Sequence, residues 1–222
     1  MPTALIIGAS RGIGHELARQ YRRTGWRVIA TARKTEDLDA LSKLGCEALQ
    51  LDVNVLNDCA GLGWKLDDEK IDVAILNAGV YGPRNGGMLT PGEEDFDQVM
   101  HTNVLAAMRL LPIIAPLVDN ADGRLAVISS RMGSISMREN PSGWLYRASK
   151  AALNSVLKDI SLSAKGAICI AFHPGWVRTE MGGEDADISV QESAEGIRST
   201  IASRKAGDNG KFFNYDGTAL SW

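Results

Sequence analysis

Residues 4–14 have the sequence Ala-Leu-Ile-Ile-Gly-Ala-Ser-Arg-Gly-Ile-Gly, in which a short apolar run leads through a glycine-rich turn into a stretch with helical periodicity. Gly8 permits a tight turn after the strand, Gly12 lets a pyrophosphate approach the backbone, and Gly14 lets the helix pack closely on the strand. Unpaired N–H groups at the start of the helix attract phosphate. The pattern favours a dinucleotide-binding turn over a tight turn without a ligand, and its predicted contact residues are Gly8, Ser10, Arg11, Gly12, Ile13 and Gly14.

Apolar runs alternate with amphipathic segments along almost the whole chain. Most of the runs are unbroken, which is typical of strands that are buried on both faces of a parallel sheet. Seven strands are predicted, at 4–7, 27–30, 48–51, 73–76, 125–128, 167–172 and 211–214, and six helices, near 13–24, 35–44, 55–68, 93–118, 144–164 and 190–204. We therefore expect an α/β fold, a single doubly wound Rossmann domain over residues 1–222, with a seven-stranded parallel sheet and helices on both faces.

The composition, with 222 residues, 45% hydrophobic residues and a net charge of −3, is that of an ordinary globular protein. Because no basic face or tail is apparent, neither a nucleic acid nor a membrane is an expected partner. The three cysteines are widely spaced, as expected of free thiols in a reducing cytoplasm, and no residues cluster with metal-ligand spacing. No secretory signal is recognisable, and no unbroken apolar stretch approaches the roughly 18 residues of a membrane span. The sequence predicts a soluble, cytoplasmic protein without a metal site.

The end of the second predicted strand indicates which dinucleotide binds. An NAD-binding domain usually places an acidic residue about 20 positions after the glycine turn, where it bonds the ribose 2′-OH. Here the strand ends in Thr31-Ala32-Arg33-Lys34, without an acid. Arg33 is positioned to meet a 2′-phosphate, with Arg11 as a second cation, although both would also be ordinary as solvated surface arginines. NADP(H) is therefore the predicted cofactor, in preference to NAD(H).

Tyr146 and Lys150 lie four residues apart near the start of a helical stretch, and so on the same helix face. A tyrosine with a pKa near 10 exchanges protons poorly at neutral pH, and a nearby ammonium, with the positive ring of an oxidised nicotinamide, would lower that pKa. The pattern alone also fits an interfacial tyrosine beside a snorkelling lysine. A site is favoured because other candidates follow predicted strands, at the sheet edge where ligands bind: Gly8, Arg33, Asp52, Asn77, Ser130 and Pro174-Gly175.

Several motifs, in this order and spacing, resemble the short-chain dehydrogenase/reductase family over nearly the whole chain. They are Gly8-x3-Gly12-Ile13-Gly14, Asp52-Val53, Asn77-Ala78-Gly79, Asn103, Ser129-Ser130, Tyr146-x3-Lys150, Pro174-Gly175 and Val177-Arg178-Thr179. Residues 212–217, together with residues 146–154, look like the small C-factor/sniffer-type carbonyl reductase branch. Two positions depart from the family pattern, because Ile7 stands in place of a common threonine and Leu76 in place of a common asparagine.

The resemblance implies a role for each matched residue. Tyr146 would be the general acid in reduction and the general base in oxidation, and Lys150 would bind the nicotinamide ribose and lower the tyrosine pKa. Ser130, or alternatively Ser129, would hydrogen-bond the substrate oxygen, and Asn103 would hold a water of the proton relay. Tyr146, like Lys150, would also contact the cofactor. The other matches would contact it as well: Asp52 and Val53 at the adenine, Asn77, Ala78 and Gly79 between adenosine and nicotinamide, and Pro174, Gly175, Val177 and Thr179 at the carboxamide.

The leading hypothesis is an NADP(H)-dependent carbonyl reductase or alcohol dehydrogenase that acts on a small molecule. The alternative is a cofactor-binding regulatory or signalling protein that uses the same fold with little or no turnover. The complete Ser-Tyr-Lys-Asn set favours the enzyme, because a sensor needs no proton donor. The resemblance also suggests a homodimer or homotetramer.

Overall fold

A computed structural model describes residues 1–84 and 87–222 of the chain. The strands are β1 (Thr3–Ile7), β2 (Arg27–Ala32), β3 (Glu47–Gln50), β4 (Val73–Leu76), β5 (Arg124–Ile128), β6 (Ile168–His173), β7 (Lys211–Asn214) and β8 (Ala219–Leu220). The helices are α1 (Gly12–Arg23), α2 (Thr35–Lys43), α3 (Leu56–Lys65), α4 (Glu93–Met100), α5 (Ala106–Asp119), α6 (Trp144–Ser163) and α7 (Val190–Ser203). Strands and helices alternate, as expected of a doubly wound fold.

All strands belong to one sheet, in the order β3-β2-β1-β4-β5-β6-β7-β8. Strands β1 to β7 are parallel to their neighbours, so their carboxyl ends share one edge of the sheet. The strand order reverses between β1 and β4, and ligands of open parallel sheets bind outside the carboxyl ends at such a point. The predicted α/β Rossmann fold is confirmed, and the crevice beside β1 and β4 is where a ligand site is expected.

The sheet has one strand more than the seven predicted. β8 is only two residues long and runs antiparallel to β7, with Phe213 opposite Ala219. Gly217 adopts a φ of +90° in the tight connection between the two strands, a conformation that glycine adopts without strain. A two-residue strand has too few positions to show either an apolar run or an alternating pattern, which explains why the sequence did not reveal it.

The two faces of the sheet carry separate apolar cores because successive strand residues point to opposite sides. Leu5 of β1 packs with residues of α3, α5 and α6, such as Leu110, whereas Ile6 packs with residues of α1, α2 and α7, such as Leu17. Both strand residues are fully buried. This double burial is why the strands are unbroken apolar runs.

The single helix predicted near residues 93–118 is present but interrupted. Between α4 and α5 the segment His101–Leu105 forms a π-helical turn. The helix Glu93–Asp119 contains an 18-residue window with a mean hydropathy of 1.4, so it could span a membrane by length and composition alone. However, 56% of its most apolar window is buried inside the fold, as in the core helix of a globular domain. The buried apolar residues of this helix, such as Leu110 and Ile114, pack in the core against the sheet.

Candidate active site

The glycine turn after β1 is tied to both neighbouring strands. Gly8, with a φ of +86°, donates its backbone N–H to the Thr31 hydroxyl at 3.0 Å, and its carbonyl accepts from the Asn77 side-chain amide at 2.7 Å. The family pattern has a threonine at the position of Ile7. Here it is Thr31 of β2 that supplies a hydroxyl beside the turn. This role of Thr31 has no signal in the sequence, because it depends on where β2 lies beside β1.

Gly14 is the point at which α1 comes closest to the turn. A Cβ at this position would overlap the Gly8 carbonyl oxygen and lie 2.5 Å from the Asn77 side-chain nitrogen. Both atoms are held in a hydrogen bond to each other. The packing role predicted for Gly14 therefore has a clear steric basis.

We expect Gly14→Ala to lower the free energy of unfolding by about 3 kcal/mol, because overpacking of a rigid contact costs this much. Gly61→Ala is the matched control, since Gly61 lies in α3 with no atom within 4 Å of an added Cβ. The control is expected to be neutral or to stabilise by up to about 1 kcal/mol. Urea denaturation measures both variants, and equal stabilities would contradict the close packing at Gly14.

Asn103 lies in the π-helical turn, a type of interruption that is frequent at functional sites. Its side-chain oxygen accepts the Val80 backbone N–H at 2.8 Å, and its side-chain nitrogen donates to the Val80 carbonyl and to the Ser149 hydroxyl. These bonds fix the loop after β4 against α6. A Cβ on Gly79 would lie 3.2 Å from both the Asn103 oxygen and the Lys150 nitrogen, so the three residues converge on one point.

Lys150 is 3% exposed and its ammonium group points into this convergence. The group donates to the Ile128 carbonyl at 2.9 Å. An ammonium has three N–H donors, and the described residues offer no acceptor for the other two. Burial lowers the pKa of Lys150 from its usual value to about 8. A buried ammonium with two free N–H donors could donate hydrogen bonds to the hydroxyl groups of a ribose.

The two serines after β5 face different ways. The Ser129 hydroxyl donates to the Asn154 side chain at 2.5 Å inside the core. The Ser130 hydroxyl accepts the Met132 backbone N–H at 3.1 Å, and its hydrogen bonding with Tyr146 acts to lower the pKa of that tyrosine. Of the two alternatives, Ser130 is the one that the fold brings to Tyr146.

Tyr146 does not have the lowered pKa expected from the sequence. Burial raises its pKa to about 12, hydrogen bonding with Ser130 lowers it in part, and Tyr81 raises it further. The Lys150 nitrogen lies 5.7 Å from the centre of the tyrosine ring. The ammonium is not among the groups that shift this pKa, and removal of the phenolate from water is the largest effect. The phenol therefore stays protonated and is a proton donor.

Tyr81, which the sequence did not single out, stacks on Tyr146. The ring centres are 4.6 Å apart and the planes meet at 28°. The Tyr81 hydroxyl reaches Gly143, where a Cβ would come within 2.6 Å of it. Tyr81 follows the Asn77-Ala78-Gly79 motif by two residues, but nothing in the motif marks it as a neighbour of Tyr146.

At the adenosine end of the crevice, the two predicted cations differ. Arg11 forms an ion pair with Glu180, whereas Arg33 is exposed and has no ion-pair partner among the described residues. Asp52 follows β3, and its carboxylate accepts the Asn54 backbone N–H at 2.9 Å. Val53 is buried beside it. Of the two predicted cations, Arg33 is thus the one whose charge is not compensated by a close carboxylate of the described residues.

The segment after β6 turns back towards the glycine turn. Pro174 and Gly175 follow the strand, and Gly175 has a φ of +86°. The methyl group of Thr179 is 3.4 Å from the position of a Cβ on Gly12, and the Thr179 hydroxyl accepts the Gly182 backbone N–H at 3.0 Å. Val177 is buried. The predicted carboxamide-binding residues therefore lie across the crevice from the glycine turn.

Trp144 lies on the side of α6 away from the Tyr146–Lys150 face. Its indole N–H donates to the Leu89 carbonyl, and its ring lines a cavity of about 480 Å³ together with Phe96. The lining of this cavity includes none of the four residues predicted to be catalytic.

The arrangement matches known proteins over the whole chain. The family model described as short chain dehydrogenase matches residues 2–188. The C-signal protein of Myxococcus xanthus is 35% identical over 158 residues, which cover 68% of this chain and 93% of that protein. The carbonyl reductase Sniffer of D. melanogaster is 28% identical, with a TM-score of 0.89 and 100% of both chains covered. A carbonyl reductase from Pseudomonas aeruginosa PAO1, solved in complex with NADP, is 35% identical, with a TM-score of 0.88 and 100% of both chains covered.

The family match spans most of the chain, and the relatives include both proteins for which the predicted branch was named. The family and the branch predicted from the motifs are confirmed. The chain belongs to the short chain dehydrogenase family and is an oxidoreductase of the branch that includes C-signal and Sniffer.

Proposed function

We propose that this protein is an NADP(H)-dependent oxidoreductase that interconverts a small carbonyl compound and its alcohol, with Tyr146 as general acid and base. The observation that carries the proposal is the meeting of the Tyr146 phenol, the Ser130 hydroxyl and the Lys150 ammonium at the carboxyl edge of the sheet. The NADP in the Pseudomonas aeruginosa relative supports the same cofactor here.

The chain's own residues would act in the following way during reduction. Ser130 donates a hydrogen bond to the substrate oxygen and holds it beside the Tyr146 hydroxyl. Tyr146 donates its proton to that oxygen, which a phenol with a pKa of about 12 can do at neutral pH because it is protonated. Lys150 binds the ribose hydroxyls with its free donors, and Asn103 orders the water that returns the proton. Bound NADPH supplies the hydride.

The cofactor residues divide along the crevice. The glycine turn, with Gly8, Ser10, Arg11, Gly12, Ile13 and Gly14, would hold the pyrophosphate at the start of α1. Arg33 would bind the 2′-phosphate, with Asp52 and Val53 at the adenine. Asn77, Ala78 and Gly79 would line the middle, and Pro174, Gly175, Val177 and Thr179 the nicotinamide. The close packing at Gly8 and Gly14, where a Cβ would overlap backbone atoms of the neighbouring loop and turn, supports a glycine turn that is held in one shape.

We expect Arg33→Asp to weaken NADPH binding by about 10- to 100-fold, because it removes a charge-assisted hydrogen bond to the 2′-phosphate. NADH binding should be unchanged or tighter, since a carboxylate suits the 2′-OH. Arg23→Asp, at the exposed end of α1, is the control with the same change of charge. Fluorescence titration of both cofactors measures the dissociation constants, and a preference for NADH in the unmodified protein would overturn the cofactor assignment.

A cofactor-binding signalling protein is the second candidate, and the 35% identity to C-signal is the observation in its favour. In that function Tyr146 would not be needed as a proton donor. Loss of turnover on changing Tyr146, with cofactor binding intact, separates the two functions.

We also propose a cytoplasmic homodimer or homotetramer. The thiols of Cys46, Cys59 and Cys169 are free and buried, as suits a reducing compartment. The outer faces of α5 and α6 expose Met108 and Leu162, which are 53% and 73% exposed. Sedimentation velocity of the purified protein measures the oligomeric state, and a monomer at micromolar concentration would contradict the assembly.

A further inference from the structure

An arginine stands beside the proposed proton donor, separated from it by one aromatic ring. Tyr81 stacks on Tyr146, and the guanidinium carbon of Arg84 lies 5.4 Å from the centre of the Tyr81 ring. Arg84 is exposed, and one of its N–H groups donates to the Met181 carbonyl. Among the described residues its other donors have no acceptor, so the guanidinium retains most of its hydrogen-bonding capacity.

Two further arginines make this side of the site positive. Arg147 is 7% exposed, and its guanidinium donates to the Ser142 carbonyl at 2.8 Å and to the Asn140 side chain at 3.1 Å. Burial and the nearby Arg138 both lower the pKa of Arg147. Within residues 1–84 and 87–222, none of the three arginines has a carboxylate within 4.0 Å, although Glu139 follows Arg138 directly in the chain. The positive charge on this side is not cancelled by close ion pairs.

We propose that Arg84 binds a carboxylate of the substrate, so that the enzyme prefers small carbonyl compounds that carry this negative charge. The inference rests on the proposed function, because it requires the carbonyl to be held at Tyr146. A guanidinium presents a planar fork of donors that matches a carboxylate. With the carbonyl oxygen at Tyr146 and Ser130, the substrate would pass the edge of the Tyr81 ring, whose faces are covered by Tyr146 and Arg84, and its far end would meet Arg84.

The position of Arg84 also decides how large the effect is. Because the side chain is exposed, solvent screens its charge, and a contribution of about tenfold in kcat/KM is expected rather than an absolute requirement. Arg138 and Arg147 add positive charge that attracts anions. The guanidinium of Arg147, however, is already hydrogen-bonded to Ser142 and Asn140. Arg84 is therefore the residue to change.

The test compares 4-carboxybenzaldehyde with its neutral methyl ester, methyl 4-formylbenzoate, at saturating NADPH. In the unmodified enzyme, kcat/KM should be higher for the carboxylate. In Arg84→Gln the ratio of the two values should fall about tenfold, whereas Arg23→Gln, on the exposed end of α1, should leave it unchanged. Added salt should lower the ratio in the unmodified enzyme and have little effect on it in Arg84→Gln.

The possible results separate the carboxylate preference, the role of Arg84 and the proposed function from one another. Reduction of both aldehydes with no preference for the carboxylate overturns the inference and leaves the proposed function standing. A preference that persists in Arg84→Gln overturns the assignment to Arg84. If neither aldehyde is reduced, although NADPH binds, the proposed function fails and the inference fails with it.

Discussion

Tyr146→Phe is expected to lower kcat for carbonyl reduction by a factor of about 10² to 10⁴, because the variant has no proton to give to the developing alkoxide. The phenyl ring keeps the stack on Tyr81, so the site should retain its shape. NADPH binding should change by no more than about twofold, since the lost hydroxyl faces Ser130 and the substrate. Steady-state kinetics and a cofactor titration on the same preparation measure the two effects.

Tyr21→Phe is the matched control for this substitution. Tyr21 is a buried tyrosine of α1 whose hydroxyl interacts with Arg198, outside the site. Its removal should leave kcat unchanged. If Tyr146→Phe turned over at the rate of the unmodified enzyme, another group would have to be the acid, and the role proposed for Tyr146 would be wrong.

Lys150→Met should stabilise the protein at pH 7 while weakening NADPH binding at least tenfold. The pKa of Lys150 falls from 10.5 to about 8 on burial, which corresponds to a cost of about 3 kcal/mol for holding the charged form in the fold. Loss of the hydrogen bond to the Ile128 carbonyl offsets about 1 kcal/mol of this. The expected gain in the free energy of unfolding is about 2 kcal/mol.

The pH dependence distinguishes this cause from a general packing effect. Between pH 8 and 10.5 the unfolded chain holds a proton on Lys150 that the folded chain has released, so the stability of the unmodified protein should rise with pH there. The variant lacks this contribution, and its advantage should shrink as the pH rises above 8. NADPH affinity of the unmodified protein should weaken over the same range. Urea denaturation from pH 7 to 9.5 measures the difference, and an advantage that does not change with pH would contradict the assigned cause.

The strands were predictable because burial on both faces leaves an unbroken apolar run. The run at 4–7 matches β1 (Thr3–Ile7), and the run at 167–172 matches β6 (Ile168–His173) within one residue at each end. The position of the site followed from the same reasoning, since residues after parallel strands meet at one edge. The pairing of β8 and the π-helical turn at His101–Leu105 could not be predicted from the apolar runs, because neither segment has a periodicity of its own.

Parts of the site depend on contacts between distant segments, and the sequence carries no signal for them. Arg11 was predicted as a second cation for the 2′-phosphate, but in the structure it pairs with Glu180, which lies 169 residues away in the chain. The choice between Ser129 and Ser130 needed the orientation of the chain after β5. The raised pKa of Tyr146 was missed because the sequence shows the neighbouring lysine but not the depth of burial.

The most direct test of the account is the transfer of deuterium from NADPH labelled at both C4 positions to an aldehyde such as methyl 4-formylbenzoate. We expect the alcohol formed by the unmodified enzyme to carry one deuterium on the former carbonyl carbon, and Tyr146→Phe to form the same product far more slowly. Product without deuterium, or no product from any aldehyde while NADPH is bound, would contradict it.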